Sequence, residues 1–99
     1  MVYDRTYMLV DWDPDKSRLN VRKHGVFFAD AVSALEDEGA LTIRDPFNDK
    51  EERWVPVGMD GLGRVLVVTF TWRGERLRLI SARKATARER QRYQEAHET

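Results

Sequence analysis

The chain has ninety-nine residues, no cysteine, a formal net charge of zero and no apolar run approaching about 18 residues. This is one domain's worth of sequence, and it excludes a disulfide framework, a thiolate metal site and a transmembrane helix. The opening MVYDRTYMLVDWD lacks a basic segment followed by an apolar one, so it does not read as a signal peptide, and a single cytoplasmic domain over residues 1–99 is expected. The zero net charge hides a split. Residues 1–63 hold 8 Lys/Arg against 13 Asp/Glu, a net of −5, and residues 64–99 hold 9 against 4, a net of +5. Such a chain can present one patch that attracts phosphate; a charge-rich surface can also separate its signs by chance.

Tyr7 to Trp12 (YMLVDW) reads as a short strand. DPDKSRLNVRKHG follows with helix punctuation: Asp13 to cap the first amides, Pro14 in the first turn, and Gly25 to close the helix. In FFADAVSALED, the apolar residues Phe28, Ala31, Val32 and Leu35 follow the i, i+3, i+4, i+7 spacing of a buried helical stripe. Phe27 precedes that helix where a capping hydroxyl or carboxylate is the better choice, which weakens the start by about 1 kcal/mol.

After Gly39 the pattern changes to strands. ALTIRD is one. RDPFNDKEE is a polar loop with an Asp45-Pro46 turn, and ERWVPVGM is a strand whose Pro56 suggests an edge or a bulge. DGLG turns into RVLVVTFTW, the strongest strand signal of the chain, and RGE turns into RLRLISA. Thr86 and Glu89 then form a capping box ahead of a helix with few apolar residues, which is weakly held or awaits a partner. The expected fold is α+β: a small antiparallel sheet of about four strands in a meander, flanked by two N-terminal helices and one C-terminal helix.

Several residue sets suit chemistry on phosphate. Asn20, Lys23 and His24 stand at i, i+3 and i+4, with Lys16 at i−4, and share one helical face. A solvated face has the same spacing, and so does a helix end whose dipole favours cations. His24 has no neighbouring metal-type ligand, and no metal or other cofactor is expected; it can act as an acid or base. Arg53 follows Glu51 and Glu52 and shares a strand face with Val55, Val57 and Met59. In RLRLISARK, strict alternation puts Arg76, Arg78 and Ile80 opposite Leu77, Leu79 and Ser81, and Arg83 and Lys84 continue the charge. Trp72 is either a ring on which a base stacks or a partly buried core aromatic. Together these groups suit cleavage of RNA without a metal. His24 and Glu52 would carry protons. Lys23, Arg53, Arg78 and Arg83 would steady the phosphorane, and Trp72, Lys84 and Asn20 would contact RNA. The rival readings are a non-catalytic module that binds RNA and one that binds a protein.

Four blocks in this order, DWDPDKSRLNVRKHGVFFADA, EERWVPVG, GRVLVVTFTWRGERLRLISARKAT and RERQRYQE, resemble the BrnT toxins of bacterial type II toxin–antitoxin systems. The resemblance runs from about Asp11 to Tyr93. It implies a RelE-like ribonuclease fold, RNA cleavage that slows translation, and a small BrnA-like antitoxin that occludes the toxin. It also implies operator DNA binding only through the toxin–antitoxin complex, and no membrane partner. It favours Lys23 and His24 as active-site members, with Gly25 fixing their direction and Asn20 as a hydrogen-bonding support.

Overall fold

Asp13 and Gly25 bracket the first helix as their chemistry requires. In the computed structural model, which describes residues 3–5, 8–44 and 52–98, α1 runs over Pro14–His24. The Asp13 carboxylate accepts the Asp15 N–H at 2.8 Å, and Gly25 takes the left-handed conformation (φ 68°) and donates its N–H to Val21. Helix α2, Phe28–Leu35, starts at Phe27 with no side-chain cap; burial of Phe28, Ala31, Val32 and Ala34 holds it instead. Helix α3, Ala87–Ala96, opens on the full capping box of Thr86 and Glu89. Tyr7 and residues 45–51, which include Glu51 and the Asp45-Pro46 turn of the polar loop, lie outside the described residues.

The strands are β1 (Tyr3–Arg5), β2 (Met8–Asp11), β3 (Leu41–Arg44), β4 (Trp54–Met59), β5 (Val65–Arg73) and β6 (Arg76–Lys84). They form a sheet in the order β1-β2-β6-β5-β4-β3. The expected meander is β3 to β6, antiparallel throughout. Strand β2 extends it by pairing parallel to the first half of β6, with Val10 beside Leu77 and Asp11 beside Arg78, and β1 pairs antiparallel to β2. The sheet is therefore mixed.

Alternation sorts side chains to two faces. The larger core joins Val10, Val26, Phe28, Ala31, Val32 and Ala34 to Leu66, Val68, Phe70, Leu77, Leu79 and Ala82, under α2. Helix α2 lies so close to β4 that a Cβ on Gly58 would collide with the Ala34 carbonyl oxygen. The opposite face carries a smaller cluster, Val65, Val67, Ala85 and Tyr93, with Val55 and Val57 packed against it. Tyr93 brings α3 there; its hydroxyl donates to Asp37, which also accepts the N–H groups of Met59 and Gly39. Burial pushes the Asp37 carboxyl up. The Met59 N–H, the Tyr93 hydroxyl, the Gly39 N–H and the charge of His97 outweigh it and hold the group below the ordinary value. The same burial, reinforced by Asp37, raises the Tyr93 hydroxyl to about 12. The sparsely apolar C-terminal helix is thus tied down by one aromatic residue and its polar partners.

Strict alternation fails in β6. Thr69 pairs with Ser81 but Phe70 pairs with Leu79, so Ile80 is an extra residue at a bulge. Past it the faces exchange. Ala82, fully buried, joins Leu77 and Leu79 in the larger core. Its neighbours Ser81 and Arg83 therefore point to the α3 face, and Ser81 does not share the core row as expected.

The free edge of β6 is closed by a side chain. The Ala85 N–H bonds the Val65 carbonyl, so alternation of the antiparallel ladder leaves the N–H and C=O of Ala82 pointing away from β5. Strand β2 ends too early to meet them. Asn20 does: its Oδ1 accepts the Ala82 N–H at 3.1 Å, and its Nδ2 donates to the Ala82 carbonyl at 2.8 Å and to the Val26 carbonyl at 2.9 Å. Replacing Asn20 by alanine leaves these buried groups unpaired and is expected to cost about 2–4 kcal/mol, read as a lower urea midpoint. An unchanged midpoint would show that water replaces the amide.

Candidate active site

The α3 face of the sheet carries permanent cations from β6, Arg78 and Arg83. Arg83 projects there from the end of β6, opposite Val67. Its Nη1 and Nη2 donate to the two carboxylate oxygens of Glu89, in the first turn of α3, at 2.8 and 3.0 Å. The pair is charge-assisted and bidentate. The Arg83 hydrogen bonds hold the Glu89 carboxyl down to about 2 against the opposing effect of burial, and the Thr86 N–H and hydroxyl help. The Arg83 guanidinium is raised in turn, first by its bond to Glu89. Both groups stay charged across any working pH. Glu89 also accepts the Thr86 N–H at 2.8 Å, so one carboxylate joins the helix start to the strand end.

A second ion cluster lies at the start of β6. Asp11 sits between Arg76 and Arg78, at 3.7 and 3.4 Å. Arg78 pairs across the sheet with Thr71, whose hydroxyl donates to the Glu52 carbonyl at 2.7 Å. Asp11, Arg78, Thr71 and the entry to β4 thus form one row across the sheet, and Arg53 follows Glu52 on the face shared by Val55 and Val57. Arg78 and Arg83 are five residues apart, about 16 Å of strand. They mark two ends of the face, not one point.

Between them lies a groove lined by Lys16, Leu19, Asn20, Lys23 and His24 of α1 and by Ile80 and Ser81 of β6. The polar stripe read from the i, i+3, i+4 spacing is therefore one wall of a groove. Lys23 and His24 are exposed in the last turn, where Gly25 ends the helix. Ser81 points to the same face as Arg83, two residues further along β6; Arg83 itself is not part of the groove wall. The bulge falls at this opening, since Ile80 and Ser81 both line the groove.

Two of the three expected RNA contacts stand elsewhere. Asn20 lines the groove from beneath, buried, with its amide bonded to Val26 and Ala82. Trp72 packs edge-on against Phe70, with centroids 5.8 Å apart, and pairs with Leu77, which puts it on the α2 face. It is 48% exposed there. Lys84 pairs with Leu66 and lies on that face too. Conversely, Glu89, Asp11 and Thr71 join the site without having been expected. The capping box was a signal for Glu89, since its side chain must reach back toward the end of the preceding strand. Among the described residues no three His, Cys, Asp or Glu side chains gather as a metal site requires, and no helix is long and apolar enough to cross a membrane.

The family model for BrnT, the ribonuclease toxin of a type II toxin–antitoxin system, matches residues 12–89. The crystal structure of the Brucella abortus ribonuclease toxin BrnT is similar at 29% identity and a TM-score of 0.60, over 78% of this chain and 95% of that one. Nothing matches among curated protein sequences.

The Arg83–Glu89 pair carries a pH signature. The Glu89 carboxyl lies at about 2 in the folded chain against 4.5 ordinarily, so its contribution is complete above pH 4.5 and disappears as the pH falls toward 2. In this partly exposed setting it amounts to about 1–2 kcal/mol. Glu89→Gln should flatten that acid limb when urea midpoints are compared between pH 6 and pH 3, both taken as about the useful range. A limb of unchanged steepness would assign the acid sensitivity to other carboxylates.

Proposed function

Because the chain belongs to the BrnT family of type II toxin–antitoxin ribonucleases, we propose that its open arginine-bearing face cleaves RNA without the help of a metal ion. The observation that supports the reading is that Ser81, which lines the Lys23–His24 groove, and Arg83, two residues on, point to the same face of the sheet. Cleavage within an RNA chain needs the ribose 2′-hydroxyl to lose a proton, the phosphorane to be held by positive donors, and the leaving 5′-oxygen to gain a proton. Arginine supplies paired N–H donors and a charge that does not titrate, so Arg83 serves the phosphorane. Lys23 adds a mobile positive charge from the facing helix. His24 is the proton carrier at the groove. Arg53, at the entry to β4, and Arg78, in the neighbouring row, hold the RNA chain at the far end of the face, whereas Glu52, expected as the second proton carrier, falls by alternation on the side of Trp54.

Toxins of this class have an antitoxin partner. A BrnA-like antitoxin that covers this face would keep RNA from it. In that complex, contact with operator DNA falls to the antitoxin, since the basic face of the toxin is already occupied. The cleavage itself slows translation by removing messages in the cytoplasm.

Purified protein is expected to degrade RNA in the presence of EDTA. Lys23→Ala and Arg83→Ala should each lower the rate by at least about 100-fold with the circular-dichroism spectrum preserved. Activity that EDTA abolishes and a divalent ion restores would overturn the metal-free mechanism. Retained RNA binding with no cleavage by the wild type would favour a binding module instead.

A further inference from the structure

We propose that Glu89 is a positioning residue for the reaction: it grips one end of the Arg83 guanidinium so that the other edge is held ready for a phosphate. The inference rests on the role of Arg83 proposed above. A guanidinium has five N–H donors in a plane. On Arg83, Glu89 takes one from Nη1 and one from Nη2, at 2.8 and 3.0 Å, which is the end of the group farthest from the backbone. The Lys84 carbonyl accepts a further N–H of Nη1 at 3.3 Å. What remains is the Nε–H and the second N–H of Nη2. These two point to the same side and form the paired edge that matches two oxygens of a phosphate. Among the described residues no acceptor is bonded to them. The side chain as a whole is 42% exposed.

An arginine without this clamp rotates about four side-chain bonds and must be ordered as RNA binds. The clamp performs that ordering in advance. It acts from a defined place, because the Glu89 carboxylate is itself fixed by the Thr86 N–H at 2.8 Å, at the first turn of a helix anchored through Tyr93. It has an electrostatic consequence as well. The carboxylate cancels part of the local positive charge and so weakens the general attraction for RNA, while the orientation favours the phosphorane over the ground-state diester.

The test separates these effects by kinetics on a fluorescent RNA oligonucleotide. Glu89→Gln keeps the capping-box geometry, because glutamine serves at that position, but it loses one of the two acceptor oxygens facing Arg83. It is expected to lower kcat by about 10-fold or more while KM stays the same or falls. Thr86→Ala weakens the helix start but keeps the backbone N–H that holds Glu89, and its kcat per folded molecule should fall far less than that of Glu89→Gln. Glu89→Asp, which retains a carboxylate, should recover part of the kcat lost in Glu89→Gln. Equal loss in Thr86→Ala and Glu89→Gln would reduce Glu89 to a helix cap and overturn the proposal. A rise in kcat/KM on Glu89→Gln would overturn it too, and would make the carboxylate a competitor of the substrate. If the wild type cleaves no RNA, the broader functional reading fails. If the wild type cleaves, Arg83→Ala does not, and Glu89→Gln is unimpaired, only the positioning role fails.

Discussion

One side-chain amide holds this architecture open. Asn20 supplies to Ala82 the acceptor and donor that a neighbouring strand would have supplied, and so lets a helix lie where the sheet would otherwise continue. A buried backbone N–H or carbonyl without a partner is costly, so the edge of β6 must be satisfied by something. Another strand would have laid backbone along Ile80 and Ser81. Asn20 satisfies the same groups with a single residue, and the helix that carries it is free to set Lys16, Lys23 and His24 around the groove. Its third bond, to the Val26 carbonyl, fixes the chain just after Gly25 and so ties the direction of α1 to that of α2.

The two faces of the sheet are unequally filled, and the difference separates stability from chemistry. The α2 face holds the larger apolar cluster, and a tight approach at Gly58 leaves little room for change. The α3 face has a smaller cluster near β4 and β5, and beyond it the surface is given to ion pairs. Hydrophobic burial needs no fixed geometry, whereas paired charges do. Arg83 and Arg78 each have a carboxylate partner, Glu89 and Asp11. Such pairs contribute modestly to stability at a surface. Their larger effect is to limit where a long side chain can point.

What the sequence made legible was local. The caps at Asp13, Gly25 and Thr86, the weak start at Phe27 and the helical stripe beginning at Phe28 each depend on residues a few positions apart, and each formed as read. The meander followed from short turns between strong strands. What escaped was long-range. Asn20 and Ala82 are 62 positions apart, and nothing in either neighbourhood announces that an amide will stand in for a strand. The parallel contact of β2 with β6 joins the beginning of the chain to its last strand across both helices and the whole meander. Lys23 and His24 could be placed on one helical face from spacing, but not against Ile80 and Ser81. Trp72 and Lys84 were drawn into the expected site by sequence proximity to arginines, although strand alternation sends them to the other side.

The bulge gives the last strand its phase. Counting from Leu77, a strand that kept Ile80 in an unbroken ladder would carry alanine outward and bring a guanidinium beneath α2, among phenylalanine and leucine side chains. The composition would be intact and the protein would still lose both its core and its cationic surface. Ile80 is the residue that the ladder leaves over, so a chain shortened by that one position would keep Ala82 inward and Arg83 outward, and would give up only the wall that Ile80 lends to the groove beside α1.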